Sequence, residues 1–248
     1  MKSSEILRRL KSRTKNPSGL EYLSIHEARY AYLIEAVNSL DLPADSSILD
    51  IGCYPPHLFS VLKEEFSQTF GICSNHEPVD GPGITPLNIE TDIFPYADNT
   101  FDLVLFTEVL EHLITDPTHL FNEINRILRP GGHLILTTPN VYRLQNIILL
   151  LLKKNIYFPV AQLKDSDSLS GSIYYRHNRE YTPVEITSYL TKSGLKIENY
   201  HNFVSYKPTR SRNSHDSLPL KFVKFANYFL MILFPSRRDT LFFLASKN

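Results

Sequence analysis

Five short apolar runs, most followed by a stretch of helical spacing or by a tight turn, constrain what this chain can fold into more than any other feature. They occupy 47–51 (SILDI), 69–73 (TFGIC), 84–89, 101–106 (FDLVLF) and 133–137 (HLILT). Each has the length of a strand and is too short for a buried helix. Between them, 58–66 and 120–128 repeat apolar residues at offsets of three and four, the spacing of a helix that buries one face. Segments 3–13 and 26–40 read as leading helices by the same spacing. Arg129-Pro130-Gly131-Gly132 should break the chain ahead of 133–137, because Pro cannot continue a helix and Gly supplies positive φ. Strands alternating with helices predict an α/β fold built on a mostly parallel sheet with helices on both faces.

Past Pro139 the rhythm loosens. The spacing predicts a long apolar helix over 142–154, an irregular segment over 155–175, a helix over 183–193 with Pro183 in its first turn, and a strand over 195–204. A polar stretch at 205–218, an apolar helix at 219–234 and a last strand at 240–245 follow. In open α/β sheets the ligand crevice lies at the carboxyl ends of the strands, so 142–182 is expected to cap the substrate. The resulting organisation is helices in 1–43 and one catalytic domain in 44–248.

The charge balance of 26 Lys and Arg against 26 Asp and Glu hides a division. Residues 1–15 hold six basic groups and one acid, 201–248 hold eight and two, and 16–200 hold 12 and 23. A net charge of zero argues against a general nucleic-acid binder, while two basic ends could share one face and meet an anionic partner. Two Cys, a charged opening segment without an apolar stretch, and no apolar run of bilayer length lead us to expect a cytoplasmic protein.

The stretch Ile48-Leu49-Asp50-Ile51-Gly52-Cys53-Tyr54-Pro55-Pro56-His57 ends a strand in Asp-x-Gly, where a residue without Cβ lets a ligand approach the main chain. It resembles motif I of the class I S-adenosylmethionine-dependent methyltransferases. The resemblance continues through Phe94-Pro95-Tyr96-Ala97-Asp98-Asn99-Thr100-Phe101-Asp102, Glu108-Val109-Leu110-Glu111-His112-Leu113 and Arg129-Pro130-Gly131-Gly132-His133-Leu134, in order over about 44–140. It implies a Rossmann-like seven-stranded sheet, S-adenosylmethionine as cofactor, and a cofactor pocket of Asp50, Gly52, Cys53, Tyr54, Cys73, Glu90 and Thr107. Glu90 maps to the family's acceptor for the adenine amino group, with Asp92 as competitor. Two departures stand out: Tyr54 and Pro56 replace further glycines, and Cys73 replaces the acid that accepts two hydrogen bonds from the ribose diol.

Glu108, Glu111 and His112 fall on one face if the segment is helical, and carboxylate plus imidazole suits Mg2+ or another divalent cation. The trio resembles the metal site of the ubiquinone-pathway O-methyltransferases and of the small-RNA 2′-O-methyltransferases. In the second branch a further His from the cap completes the set, and His177 stands at that place. The alternative is that His112 or His177 acts as a general base. Arg176 and Arg179 are read as contacts to an anionic substrate group or as partners of Asp165 and Asp167.

The expected activity is O-methylation of a small-molecule or saccharide/lipid-linked hydroxyl. Its rivals are metal-assisted RNA 2′-O-methylation and a cofactor-poor fold serving as a binding or scaffold module. The apolar helix at 219–234, flanked by Lys221, Lys224, Arg237 and Arg238, is read as packing on the domain, forming a homodimer interface, or touching the inner face of the membrane through 219–238.

Overall fold

Seven strands form one sheet: β1 (Ser47–Ile51), β2 (Gln68–Cys73), β3 (Ile84–Pro86), β4 (Phe101–Thr107), β5 (Leu128–Pro139), β6 (Leu195–Phe203) and β7 (Thr240–Lys247). Their order is β3-β2-β1-β4-β5-β7-β6. The computed structural model describes residues 3–14, 17–74, 82–157, 176–205 and 218–248. Pairs β1/β2, β1/β4, β2/β3 and β4/β5 are parallel. Every residue of β1 is buried, as a central strand covered on both faces requires, which is why its sequence reads as a near-continuous apolar run. The chain steps outward from β1 through β2 to β3 and then returns to place β4 on the other side. The sheet's switch point therefore lies between the carboxyl ends of β1 and β4.

The chain divides into two compact units. The larger comprises Pro43–Val141, Asn155–His201 and Leu241–Asn248 and carries nearly all of the sheet. In it, helix α4 (His57–Glu65) packs on β1 and β2, and α5 (Thr118–Ile127) packs on β5 and α7 (Pro183–Lys192). Leu49, Ile51, Val104, Phe106, Leu134 and Leu136 from the strands meet Phe121 and Ile124 from α5 in the core. Thr182 caps α7: its hydroxyl accepts from the Glu185 amide while the Glu185 carboxylate accepts from the Thr182 amide, a complete capping box.

The smaller unit comprises Met1–Leu42, Tyr142–Lys154 and Asn202–Thr240. Helices α1 (Ser3–Arg13) and α2 (Pro17–Ile25) pack on α3 (Glu27–Asn38), and α6 (Leu144–Leu151) packs on α8 (Leu218–Leu233). Among the described residues, no helix is long and apolar enough to cross a membrane.

Several expected boundaries move. Helix α2 carried too weak a periodicity to be predicted, β3 ends at Pro86, and α6 spans eight residues, with Lys153 just beyond it in the left-handed region at φ 58°. Arg129-Pro130-Gly131-Gly132 does not end the pairing. Leu128 pairs with Phe101 and His133 with Leu103, so four residues bulge opposite Asp102 alone. The bulge is pinned by the Arg129 guanidinium on Asp102, at 2.7 and 2.9 Å, and by the Ser47 amide donating to the same carboxylate at 2.7 Å. Gly132 has no room for a side chain: a Cβ there would lie 2.9 Å from the carbonyl oxygens of Arg129 and Phe101. The Ser-rich stretch 164–172, Asp165, Asp167 and most of the polar stretch 205–218 lie outside the described residues.

Candidate active site

Asp50 is the penultimate residue of β1, level with Gly71 on β2 and Leu105 on β4. Its residue is 3% exposed, and its carboxylate has no hydrogen-bond or ion-pair partner among the described residues. Burial without a partner raises its pKa from 3.8 to about 7, because the ion has lost water and gained nothing in exchange.

Gly52 follows with φ 77°, and a Cβ there would meet Val109 Cγ2 at 2.2 Å. The glycine is needed both for its backbone conformation and for the side chain that closes over it. The amides of Gly52 and Cys53 both donate to the Ile72 carbonyl, at 2.8 and 3.0 Å, tying the turn to β2. Cys53 and Cys73 are buried free thiols in one cluster with Phe59 and Ile84. Burial, and then the charge of Asp50, push the Cys53 thiol upward, which keeps it protonated and inert. Cys73, at the position of the expected ribose acid, is buried in that cluster, and the neighbouring Asn75 and Glu77 lie outside the described residues. Tyr54 is exposed beside the turn.

Glu90 sits in the loop after β3. Its Oε2 accepts from the Ile114 amide, the Thr115 amide and the Thr115 hydroxyl at 2.9, 2.6 and 2.7 Å. Its Oε1 has no partner among the described residues. Asp92 instead holds its own turn, accepting from the Asn88 amide and the Thr91 hydroxyl.

Thr107 ends β4, and the next residue corrects a premise of the sequence reading. Glu108 is not helical: its amide donates to the Thr137 carbonyl at 2.8 Å, and its φ is 56°. Only one 3-10 turn, Leu110–His112, follows. The groups that converge are Glu111, His112 and His177, whose ligating atoms lie within 4.8 Å of one another, and Glu108 is not among them. Glu108 acts on the cluster through its charge.

Glu111 is 1% exposed and receives the Thr138 hydroxyl on Oε2 at 2.9 Å. Burial raises its pKa to about 8, helped by the charge of Glu108 and opposed by that of His177. Its Oε1 lies 3.8 Å from His112 Nε2. His112 Nδ1 is 2.9 Å from the Arg176 carbonyl. A carbonyl can only accept, so Nδ1 carries the proton of the neutral ring and Nε2 the lone pair. His177 presents Nδ1 to the buried carboxylate of Glu180 at 3.5 Å, and its ring stands edge-on to His112 with centroids 5.1 Å apart. The segment bearing His177 is clamped onto the 3-10 turn: the amides of Asn178 and Arg179 donate to the Glu111 carbonyl, and Asn178 Nδ2 donates to that of His112.

Arg179 pairs with Glu185, and Arg176 donates through Nε to Asn178 at 2.7 Å. Sequence reasoning missed Val109, Thr138, the Arg176 carbonyl and Glu180. A carbonyl leaves no trace in the sequence, and Thr138 is 27 residues from the Glu111 carboxylate it holds, whereas Glu180 stands only three residues from His177 and Val109 sits inside the quoted motif, so that both could have been noticed.

A largely parallel sheet with a glycine turn at the end of its central strand, a buried acid beside that turn and a cluster of titratable groups after the next strand is the layout of an α/β enzyme whose ligand crevice lies at the switch point. The chain belongs to the methyltransferase domain family, whose model matches residues 22–200, and it is an S-adenosylmethionine-dependent methyltransferase. It is 27% identical to the Vibrio cholerae ubiquinone biosynthesis O-methyltransferase over 182 residues, which cover 69% of each chain. It is also 29% identical, over 134 residues and 50% of its own length, to an uncharacterized 37.1 kDa protein of transposon TN4556 from Streptomyces fradiae, of which it spans only 39%. Among solved structures, a chain from the Haloferax volcanii complex of a methyltransferase with its Trm112 activator superposes with a TM-score of 0.58 at 16% identity, covering 99% of this chain and 95% of that one. A likeness at that identity concerns the fold.

Proposed function

We propose that the enzyme methylates a hydroxyl oxygen of a small or lipid-linked acceptor, and that the Glu111, His112 and His177 cluster receives that hydroxyl. The observation that carries this reading is the convergence of two imidazoles and a carboxylate within 4.8 Å, one strand across from Asp50. The similarity to an O-methyltransferase supports it. The 23 acids against 12 basic groups in 16–200 weigh against an RNA acceptor.

S-adenosylmethionine, when bound, supplies a methyl group already activated by its sulfonium. Asp50 lacks a counter-charge and provides the carboxylate for the cofactor's positive end, Gly52 with Cys53 and Tyr54 forms the turn beside it, and Thr107 lines the neighbouring strand end. Glu90 is fixed by three donors on Oε2 and offers Oε1 to the adenine amino group. Cys73 supports the pocket wall by packing. His112 Nε2, with its lone pair free of the Arg176 carbonyl, is the proton acceptor for the substrate hydroxyl, whose oxygen would take the methyl group that the bound cofactor would supply, the hydroxyl proton passing to His112. General-base assistance of this kind contributes about 10²–10⁴-fold. Of the expected cap, the described end, 176–182, delivers His177 to the acceptor.

A second reading has a specific observation behind it. The donor set of Glu111, His112 and His177, with His112 Nδ1 held by a carbonyl and His177 Nδ1 facing Glu180, is that of a cation site with its outer partners in place. A divalent cation there would lower the pKa of an acceptor hydroxyl.

Two measurements test these readings. Release of S-adenosylhomocysteine with a panel of phenolic, catecholic and sugar hydroxyl acceptors should fall about 10²–10⁴-fold in His112→Ala; turnover confined to amine acceptors would refute O-methylation. Calorimetric titration of Mn2+ should show one site in the wild type and none in Glu111→Gln; equal weak binding in both would remove the cation.

A further inference from the structure

Among the described residues, the smaller unit carries an apolar surface that its packing leaves exposed. Helix α8 exposes Phe225, Phe229, Ile232 and Leu233, which recur at offsets of four, three and one and so share one face, while Met231 is buried. Helix α6, packed against α8, exposes Ile148 and Leu151, and Leu150 and Leu152 are exposed beside them; Leu151 is 78% exposed. Monomeric soluble proteins rarely leave so many large apolar groups in one neighbourhood without a partner.

The border of this surface has one sign of charge. Lys153 and Lys154, exposed at the end of α6, have no ion-pair partner among the described residues. Arg237 lies over the Tyr142 ring, its guanidinium carbon 6.0 Å from the centroid, and Arg238 donates to the carbonyl of Asn202 at 3.2 Å. Residues 142–154 contain no acid, and neither do 218–238. Asp239, the nearest acid that follows, is occupied by the amide and hydroxyl of Ser205.

We infer that α6 and α8 form an interfacial anchor that lies on an anionic lipid surface, with the apolar side chains at the acyl boundary and the Lys and Arg groups at the level of the headgroups. Spanning is excluded for the described helices, because none is long and apolar enough. A second copy of the chain is a poorer occupant. A two-fold interface through this face would bring the cationic borders of both copies to a common rim, and neither 142–154 nor 218–238 carries an acid to answer them. The inference does not depend on which acceptor the site methylates.

The test is co-sedimentation of the full chain with large unilamellar vesicles of phosphatidylglycerol and phosphatidylcholine, against phosphatidylcholine alone. Binding should require the anionic lipid and fall when salt is raised from 0.05 to about 0.5 M, as screening shortens the reach of the charges. Lys153→Gln with Lys154→Gln should weaken it about 25-fold, at about fivefold per cation near the surface. Leu151→Asp with Phe229→Asp should abolish it. All four positions are exposed, so both double variants should keep the wild-type thermal midpoint; if the Asp pair does not, the Gln pair decides. Equal binding to both vesicle types, binding unchanged in the Gln pair, or a dimer in light scattering that the Asp pair dissociates while no vesicle binding occurs would each overturn the inference.

Discussion

Replacing Asp50 by Asn should stabilise the protein without cofactor, and increasingly so as pH rises. The folded carboxyl holds its proton up to about pH 7, whereas the unfolded chain releases it near 3.8. Between those values the unfolded state binds fewer protons, so the wild type loses stability with rising pH through that window and levels off above about 7. The full displacement corresponds to about 4 kcal/mol at about 1.4 kcal/mol per unit; because pH 5 lies above the unfolded value, the interval from pH 5 to pH 8 reads about 2–3 kcal/mol. An amide keeps the shape and removes the ionisation. Glu111 is displaced in the same direction but is present in both chains, so the difference between variant and wild type isolates Asp50. Urea unfolding at pH 5 and pH 8, without cofactor, is the assay: the variant's advantage should grow by about 2–3 kcal/mol between them. S-adenosylmethionine should reverse the order, since a cation favours the ionised carboxylate, and the variant should bind it about tenfold or more weakly. If the two chains lose stability in parallel from pH 5 to pH 8, Asp50 is not held neutral and the argument for a cation site at the end of β1 fails.

Two further substitutions test the framework around the site. Gly52→Ala places a Cβ 2.2 Å from Val109 Cγ2 at φ 77°, and should cost about 2–4 kcal/mol in denaturant unfolding. Adding Val109→Ala should recover the packing part and leave the backbone part; full recovery would show that φ is unimportant there. Thr182→Ala removes the hydroxyl of the capping box at α7 and should cost about 1 kcal/mol; no loss in the unfolding free energy would mean that Glu185 alone holds that helix start.

Much of the architecture was legible because it rests on local rules. The strands of the parallel sheet are buried on both faces, so β1, β2 and β4 announce themselves as apolar runs, and their boundaries move by at most one residue. The Asp-x-Gly turn was readable for the same reason, since only glycine suits that backbone. The Arg129-Pro130-Gly131-Gly132 bulge misled because a break signal in the sequence does not say whether pairing resumes, and here it does, with Arg129 paired to Asp102 across the bulge.

By itself, the sequence determined the α/β class, the order of most elements, the glycine turn and the candidate acids and histidines, all set by periodicity and by backbone chemistry within a few residues. Only the tertiary structure decided which of them meet. Glu108 leaves the helical path because its amide is taken by Thr137 on the next strand, and His177, 66 residues after Glu111, arrives because the amides that follow it donate to the Glu111 carbonyl. The same holds for charge state. Nothing in the letters Asp50 or Glu111 distinguishes them from a surface acid; it is the removal of water by the packed sheet, with no partner for one and a like charge near the other, that lifts both into the neutral range.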